Sequence, residues 1–262
     1  MGLFQAIKSK FISKQSTPTD YKVVQLTSVD STNTYLRTYM PEEGEKMTIV
    51  IADYQTAGRG QGTNEWESEN GKNLLFSVLV HPSRIPLRQQ FLLAEAGALA
   101  LKEVINQYVP EDITLKWPND IYWKDKKLSG TLIETKLSGG HIKDFVFGVG
   151  LNVNQTDFKS DAPNPISLCG ILGHEVDRET LLTEIVTAFR KYFNYIEHSE
   201  YDGISGLYHE SLYRKKGFYQ YKDQNGYFEG AIVEVEDDGH LVLRTREGMV
   251  NSYLFKEVEF VL

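Results

Sequence analysis

Apolar residues along most of the chain follow two spacings. Short runs rich in β-branched residues, such as TIVIADYQ and NLLFSVLV, predict buried strands. Two longer segments, 88–108 and the one after Asp177, place apolar residues at helical spacing, and Asp177 is suited to cap the second helix. Strands within 113–154 are separated by tight polar turns, as in an antiparallel meander. We therefore expect an α+β fold with a mixed, largely antiparallel sheet backed by helices.

The pattern changes near residue 215. From there to Leu262, apolar and polar residues alternate, and the turn sequences DQNG, DDGH and REG separate the runs. This alternation is typical of a small β-barrel. We expect residues 21–214 to form one domain and residues 215–262 a second, with residues 1–20 as a partly disordered leader.

Composition and charge narrow the functional classes. The net charge is −8, so the surface as a whole does not attract nucleic acid. The single cysteine, Cys169, cannot form an internal disulfide, which suits a reducing compartment. No apolar run approaches the roughly 20 residues of a membrane span. We therefore expect a cytoplasmic protein that binds neither DNA nor a membrane.

A glycine-rich loop over residues 53–77 separates the two strands TIVIADYQ and NLLFSVLV. Its glycines allow positive φ angles, so that backbone N–H groups can surround an anion. Arg59, between Gly58 and Gly60, adds a planar cation suited to a carboxylate or phosphate. The loop is thus predicted to bind an anion. The alternative is a plain surface loop whose glycines serve only as turns.

Three further segments carry polar residues at the ends of predicted elements. In KWPNDIYWKDKKLSG, the proline interrupts a strand where Asn119 and Asp120 appear, and Lys127 lies at the start of the next strand. The alternative is a hairpin with a solvated basic tip. In GVGLNVN, the glycines permit close backbone approach beside Asn152, or else mark a bulged strand that ends in a turn. The segment DSTN lies at a predicted helix start, where helix capping explains its residues unless its place in the fold gives them a functional role.

Together these segments resemble the motifs of the biotin protein ligases. The shared order is DSTN, YQTAGRGQ followed by a tryptophan, KWPND, KLSG and GVGLN, and the resemblance covers about residues 22–262. It implies a class II synthetase-like biotin/lipoate ligase fold followed by an SH3-like domain. It also implies activation of biotin with ATP to biotinyl-5′-AMP, and transfer of biotin to one lysine of the biotin carboxyl carrier domain of a carboxylase.

The resemblance also implies a role for each matching residue. Lys127 is expected to draw the biotin carboxylate and the α-phosphate together, while Arg59 and Gly60 fold over them. Asp120 is expected either to position Mg²⁺ or to accept the proton of the incoming lysine. Catalysis is expected from Lys127, Arg59, Asp120 and Asn119. The expected biotin contacts are Ser31, Thr32, Asn33, Gln55, Arg59, Gly60, Gln61, Lys127 and Gly130, and the expected nucleotide contacts are Trp66, Lys116, Asn119 and Asn152.

The sequence departs from the family's pattern in two places. Gln61 and Asn64 stand where the best-known bacterial members carry arginines. Because Gln61 cannot neutralise a phosphate, we expect the adenylate to be held less by charge. The residues ahead of Asp30 are too few for the winged-helix domain of the bifunctional members, so we expect ligase activity without operator binding.

Two alternative functions differ in class. A lipoate-protein ligase shares the catalytic fold and a comparable lysine, but the polar groups of DSTN and Gln55 suit the ureido ring of biotin. A non-catalytic protein that binds biotin or biotinyl-AMP is disfavoured by the presence of Arg59, Asp120 and Lys127 together. The sequence is compatible with a monomer or a homodimer, and it does not specify the acceptor protein.

Overall fold

The structure, a computed structural model, describes residues 21–82, 85–160, 164–199 and 203–262. The expected leader, residues 1–20, lies outside the described residues. Within the described part of the chain, no helix combines the length and the apolar character needed to cross a membrane.

A seven-stranded sheet forms the larger part of the molecule. Its strands are β1 (Tyr21–Val29), β2 (Met47–Gln55), β3 (Leu74–Val80), β4 (Ile113–Lys116), β5 (Asp120–Trp123), β6 (Lys126–Ser138) and β7 (His141–Leu151). The strand order is β1-β2-β3-β7-β6-β5-β4. Only β1 and β2 pair in parallel, and the other neighbours are antiparallel. The prediction of a mixed, largely antiparallel sheet is confirmed.

Two long helices cover one face of this sheet. The described helices are α1 (Thr32–Arg37), a 3₁₀ turn (Leu87–Gln89), α2 (Phe91–Tyr108), α3 (Leu168–Leu172), α4 (Arg178–Glu197) and α5 (Ile204–Glu210). Asp177 caps α4 as expected, because its side chain accepts a hydrogen bond from the backbone N–H of Thr180 at 2.7 Å. Phe189 of α4 meets Phe147 of β7 with ring centroids 5.4 Å apart. The main core lies between these helices and the sheet.

The opposite face of the sheet carries a different covering. Helix α1 packs Leu36 against Val50, Leu79 and Val146, which form a small second cluster at one end of that face. Ser31 is the N-cap of α1, but its side chain makes no capping hydrogen bond, so capping does not account for the DSTN segment. Loops cover the remainder of the face. This arrangement leaves room for a cavity between the loops and the sheet.

A second, five-stranded antiparallel sheet follows. Its strands are β8 (Tyr219–Asp223), β9 (Gly226–Val235), β10 (Leu241–Thr245), β11 (Val250–Tyr253) and β12 (Val258–Phe260), in the order β11-β10-β9-β8-β12. The indole N–H of Trp117 donates to the carbonyl oxygen of Gly239 at 2.9 Å and so joins the two sheets. The predicted small β structure at the C-terminal end is confirmed, and the domain boundary at 214/215 stays a prediction.

Candidate active site

One cavity brings the predicted site residues together. It has a volume of about 550 Å³ and lies between the loop-covered face of the large sheet and the glycine-rich loop. All fourteen predicted residues line it: Ser31, Thr32, Asn33, Gln55, Arg59, Gly60, Gln61, Trp66, Lys116, Asn119, Asp120, Lys127, Gly130 and Asn152. Segments as far apart in the sequence as Ser31 and Asn152 therefore meet in one place, whereas the individual roles of these residues stay predictions.

Another cavity of similar size, about 570 Å³, lies elsewhere and carries none of these residues. It is lined by side chains from the start of β2 and the end of α4, among them Lys46, Arg190 and Phe193. We therefore place the candidate active site in the cavity that the motifs line.

Three glycines form the floor of the site. Gly130 of β6 pairs with Gly150 of β7, and Gly148 is two residues along the same strand. A Cβ atom at Gly150 would lie 2.2 Å from Cε2 of Trp66, and one at Gly148 would lie 2.1 Å from Oδ1 of Asn33. Both separations are far below ordinary van der Waals contact. The absence of side chains at these positions thus allows Trp66 and Asn33 to rest directly on the sheet.

A hydrogen-bond network organises the end of the cavity beside α1. The Oε1 atom of Gln55 accepts from the backbone N–H and the hydroxyl of Thr32, at 2.7 and 3.1 Å. The hydroxyl of Ser77 lies 2.7 Å from Oγ1 of Thr32 and 2.6 Å from Oδ1 of Asn33. The amide of Asn33 in turn donates to the carbonyl oxygen of Leu132 at 3.1 Å. This network fixes the start of α1 on the sheet and presents hydroxyl and amide groups to the cavity.

An acidic residue of β6, Glu134, anchors two arginines at the same end. Its carboxylate accepts from Nη1 of Arg59 at 3.0 Å, from Nδ2 of Asn33 at 3.1 Å and from Nη2 of Arg37. Burial alone would raise the pKa of Glu134, but the hydrogen bonds from Arg37, Asn33 and Arg59 outweigh it and hold this pKa below its usual value. The carboxylate is therefore ionised at neutral pH.

An ion pair lies at the centre of the cavity. Nζ of Lys127 is 2.8 Å from Oδ1 of Asp120, with the two side chains 25% and 12% exposed. This oxygen is buried and its contact with Lys127 lacks hydrogen-bond geometry. The pairing of β5 with β6 fixes both residues, since Asp120 pairs with Gly130 and Tyr122 pairs with Lys127. The backbone of Lys127 also bonds to Asn164 and Ile166 in the segment before α3. The Lys127 side chain thus lines the cavity and lies outside the apolar core.

Asn119 and Asn152 are both held by backbone carbonyl groups. The amide of Asn119 donates to the carbonyl oxygen of Thr131 at 2.5 Å, and that of Asn152 donates to the carbonyl oxygen of Ile166 at 3.1 Å. Their remaining amide oxygens are the groups that each residue offers to a ligand.

The C-terminal sheet contributes to one wall of the site. Nζ of Lys116 lies 5.3 Å from the ring centroid of Tyr122 and 4.8 Å from that of Phe260 in β12. Burial lowers the pKa of Lys116, against the opposing effect of the nearby Asp120. Phe255, in the turn between β11 and β12, lines the cavity directly.

The indole of Trp66 lies beside the Lys127 side chain, whose Nζ is 5.9 Å from the indole centroid. The loop that carries Trp66 is closed by hydrogen bonds from the backbone N–H of Gly60 to Asn64 and from that of Trp66 to Gly58. The next residue, Glu67, accepts from the backbone N–H groups of Lys159 and Ser160. Two loops therefore meet beside the indole.

Sequence reasoning missed Ser77, Glu134 and Glu67. Ser77 carries the only hydroxyl within the buried strand β3, and that interruption of an apolar run is a signal that could have identified it. Glu134, within β6, and Glu67, in a loop, carry no comparable signal, because acidic residues are common on protein surfaces.

The chain is similar in sequence to several known proteins. Residues 26–152 match the model of the biotin/lipoate A/B protein ligase family. The bifunctional ligase/repressor BirA of Bacillus subtilis is 31% identical over 210 residues, which are 79% of this chain and 64% of that protein. The biotin--[acetyl-CoA-carboxylase] ligase of Paracoccus denitrificans is 27% identical over 76% of this chain and 85% of its own length.

Solved structures share the whole fold. The biotin protein ligase from Aquifex aeolicus in complex with biotin and ATP superposes with a TM-score of 0.76 and 26% identity, over 92% of this chain and 99% of that one. The biotin protein ligase from Leishmania major in complex with biotin shares the fold at a TM-score of 0.63 and 22% identity, over 92% of this chain and 100% of that one.

The fold is thus that of the solved biotin protein ligases. Residues 26–152 form a domain of the biotin/lipoate A/B protein ligase family. The chain spans 64% of the Bacillus subtilis relative and 52% of the bifunctional ligase/repressor BirA of Escherichia coli.

Proposed function

We propose that the protein is a biotin protein ligase. It activates biotin with ATP to biotinyl-5′-AMP and then transfers biotin to a lysine of the biotin carboxyl carrier domain of a carboxylase. The observation that carries this proposal is the convergence of all fourteen motif residues on one cavity, with the Lys127 and Asp120 pair at its centre. The names of the relatives from Paracoccus denitrificans and Mycobacterium tuberculosis support the acceptor class.

The polar end of the cavity suits the ureido ring of biotin. This ring offers one carbonyl and two N–H groups, and Ser31, Thr32 and Gln55 supply hydroxyl and amide groups on that side. Asn33, the other predicted biotin contact on that side, donates to Leu132 and Glu134 and accepts from Ser77, and these bonds also hold the start of α1 in place. An apolar lipoyl chain would offer no hydrogen-bond partner to the Ser31 hydroxyl or to the Gln55 amide nitrogen, which is costly in a buried site.

The first chemical step forms the mixed anhydride. An oxygen of the biotin carboxylate attacks the α-phosphorus of ATP, a new O–P bond forms, and the bond to pyrophosphate breaks. Negative charge develops on the phosphate oxygens, and the Lys127 ammonium, held 2.8 Å from Asp120, is placed to stabilise it. Arg59 supplies a second cation from the loop, and Trp66 offers an aromatic face to the adenine ring.

The second step transfers biotin. The amine of the acceptor lysine attacks the anhydride carbonyl carbon, a C–N bond forms, AMP leaves with the electron pair of the broken C–O bond, and the amine loses a proton. Asp120 lies in the cavity with a buried oxygen suited to accept that proton. The loop of residues 56–67 excludes water from the reactive anhydride when it covers the site.

The residues present also fit a Mg²⁺ ion that enters with ATP. Mg²⁺ is usually bound by one or two carboxylates together with substrate phosphates, and the buried Asp120 oxygen supplies one such ligand. Bound there, the ion would neutralise part of the phosphate charge. The Asp120→Asn variant separates the two roles: a raised Mg²⁺ requirement for adenylate formation assigns Asp120 to the metal, whereas loss of transfer alone assigns it to the acceptor lysine.

Biotin transfer is the reaction that tests this proposal. The protein is incubated with biotin, ATP, Mg²⁺ and a biotin carboxyl carrier domain, and the mass of the carrier is measured. We expect one biotin to be added, and none to a carrier whose acceptor lysine is replaced by arginine. An unmodified carrier, when the same carrier is modified by a known biotin ligase, would contradict the proposal. The proposed reaction is cytoplasmic, involves neither DNA nor a membrane, and is compatible with a monomer or a homodimer.

A further inference from the structure

The arrangement around Glu134 places one carboxylate between two arginines at the mouth of the cavity. Nη1 of Arg59 and Nη2 of Arg37 both donate to the same oxygen, Oε1, while Asn33 donates to Oε2. Asn33 and Arg59 line the cavity, and Arg37 lies in the last turn of α1. Glu134 therefore connects the predicted biotin end of the site to the arginine of the glycine-rich loop.

Strand register explains why Glu134 can reach both arginines. Gly130, Leu132 and Glu134 alternate along β6, so they point to the same face of the sheet, and the first two line the cavity. Glu134 pairs with Val146 in β7, under the end of the face that α1 covers. Its side chain is 20% exposed, so the ion pairs are only partly screened by water.

The charges of this cluster do not cancel. Two guanidinium groups share one carboxylate, and among the described residues no other carboxylate lies within 4.0 Å of a nitrogen of Arg59 or Arg37. One net positive charge is left at the cavity mouth. A substrate carboxylate or phosphate would neutralise this charge, but it must share Arg59 with Glu134 or displace it.

Arg59 has donors for such an exchange. A guanidinium carries five N–H donors, and Arg59 uses Nη1 on Glu134. Arg37 donates to the same oxygen and so weakens the hold of Glu134 on Arg59. The affinity for the substrate anion thus depends on Arg59, Glu134 and Arg37. Of these three residues, only Arg59 lines the cavity and can contact the anion.

We propose that Glu134 is a positioning residue that competes with the substrate's anionic group for Arg59, with Arg37 moderating the competition. The proposal rests on the function proposed above. In this role, Glu134 controls how tightly the carboxylate of biotin is held. Removing the Glu134 carboxylate and removing Arg37 should therefore change the affinity for biotin in opposite directions.

Calorimetric titration with biotin tests the proposal on the wild type and on the Glu134→Gln and Arg37→Gln variants. Without the competing carboxylate, we expect Glu134→Gln to bind biotin about twofold to fivefold more tightly, as for a partly exposed ion pair. Arg37→Gln leaves Glu134 wholly to Arg59, so we expect biotin to bind more weakly by a similar factor. Biotin amide, which lacks the carboxylate, should bind all three proteins equally. In Glu134→Gln/Arg59→Gln, the gain should be lost.

The directions in which the two variants change the affinity for biotin distinguish this role from a purely structural one. If both single variants weakened binding, or if biotin amide responded as biotin does, Glu134 would serve only to anchor α1, and the proposal would be overturned. Should Glu134→Gln fail to fold, Arg37→Gln with the biotin and biotin amide pair is sufficient, since only competition predicts a loss confined to the carboxylate. A wild-type protein that binds no biotin would overturn the proposed function, and this proposal with it.

Discussion

Replacing Gly148 or Gly150 with alanine is expected to disturb ligand binding at one end of the site and to leave the other end unchanged. A Cβ at position 150 would lie 2.2 Å from Trp66 Cε2, whereas ordinary contact begins at 3.4 Å, so the indole must retreat by 1.2 Å or more. A Cβ at position 148 would lie 2.1 Å from Asn33 Oδ1 and would strike the α1 end. Both positions are within strand β7, where alanine is compatible with the backbone. The two substitutions therefore form a matched pair.

The magnitude follows from the cost of overpacking. Extra carbon atoms in a packed site cost about 1–3 kcal/mol, which corresponds to roughly 5-fold to 150-fold in affinity. We expect Gly150→Ala to raise the KM for ATP by such a factor with little effect on the KM for biotin, and Gly148→Ala to do the reverse. Pyrophosphate exchange at saturating concentrations of the other substrate measures both constants.

Gly206→Ala, in helix α5, is the control for this pair. Beyond its own chain neighbours and the helix backbone, no atom of the described residues lies within 4 Å of the added carbon. It should leave both constants unchanged. If Gly150→Ala raised the KM for biotin and spared that for ATP, Trp66 would not belong to the nucleotide end and the assignment of the two ends would be refuted.

Three further predictions concern single side chains. Lys127→Ala should abolish adenylate formation while leaving the protein folded, since this side chain lines the cavity and lies outside the apolar core. Lys126→Ala, at the exposed neighbour, should leave activity intact, and full activity in Lys127→Ala would remove Lys127 from catalysis. Burial raises the pKa of Glu95 to about 7 from 4.5, so the folded state binds the proton more tightly than the unfolded state, and stability should fall as the pH rises from about 4.5 through 7. In urea unfolding, the Glu95→Gln variant should not show this fall, and its free energy of unfolding at pH 8 should exceed that of the wild type by up to roughly 3 kcal/mol. If the free energies of unfolding of the two proteins changed with pH in parallel, this explanation would be contradicted. Gln61→Arg should slow the release of biotinyl-AMP from the enzyme, because arginine neutralises a phosphate and glutamine does not; an unchanged release rate would show that position 61 does not hold the adenylate.

The fold was predictable where local pattern determines pairing. The strands from β4 to β7 follow one another through tight turns, so alternation and turn residues are enough to indicate an antiparallel meander. The parallel pairing of β1 with β2 is different, because a helix intervenes and alternation within each strand does not specify the partner's direction.

The site residues that lie in sequence motifs could be predicted, whereas those brought to the site by the register between strands could not. Lys127, Asp120 and Trp66 are all in recognisable segments and line the cavity together. Ser77 reaches Asn33 only because β3 is aligned so that Ser77 pairs with Gly148, across a long stretch of sequence. Glu134 likewise depends on the placement of α1 over β6 and β7. Such contacts arise from the pairing of distant strands, which a single sequence does not reveal.

The most direct measurement is ATP–pyrophosphate exchange by the wild-type protein with biotin and lipoate as alternative substrates. Exchange reports the formation of the acyl adenylate itself and needs no acceptor protein. For a biotin ligase whose polar pocket end binds the ureido ring, we expect exchange that depends on biotin and is absent with lipoate. Exchange with lipoate alone, or with neither compound, would contradict the proposed function.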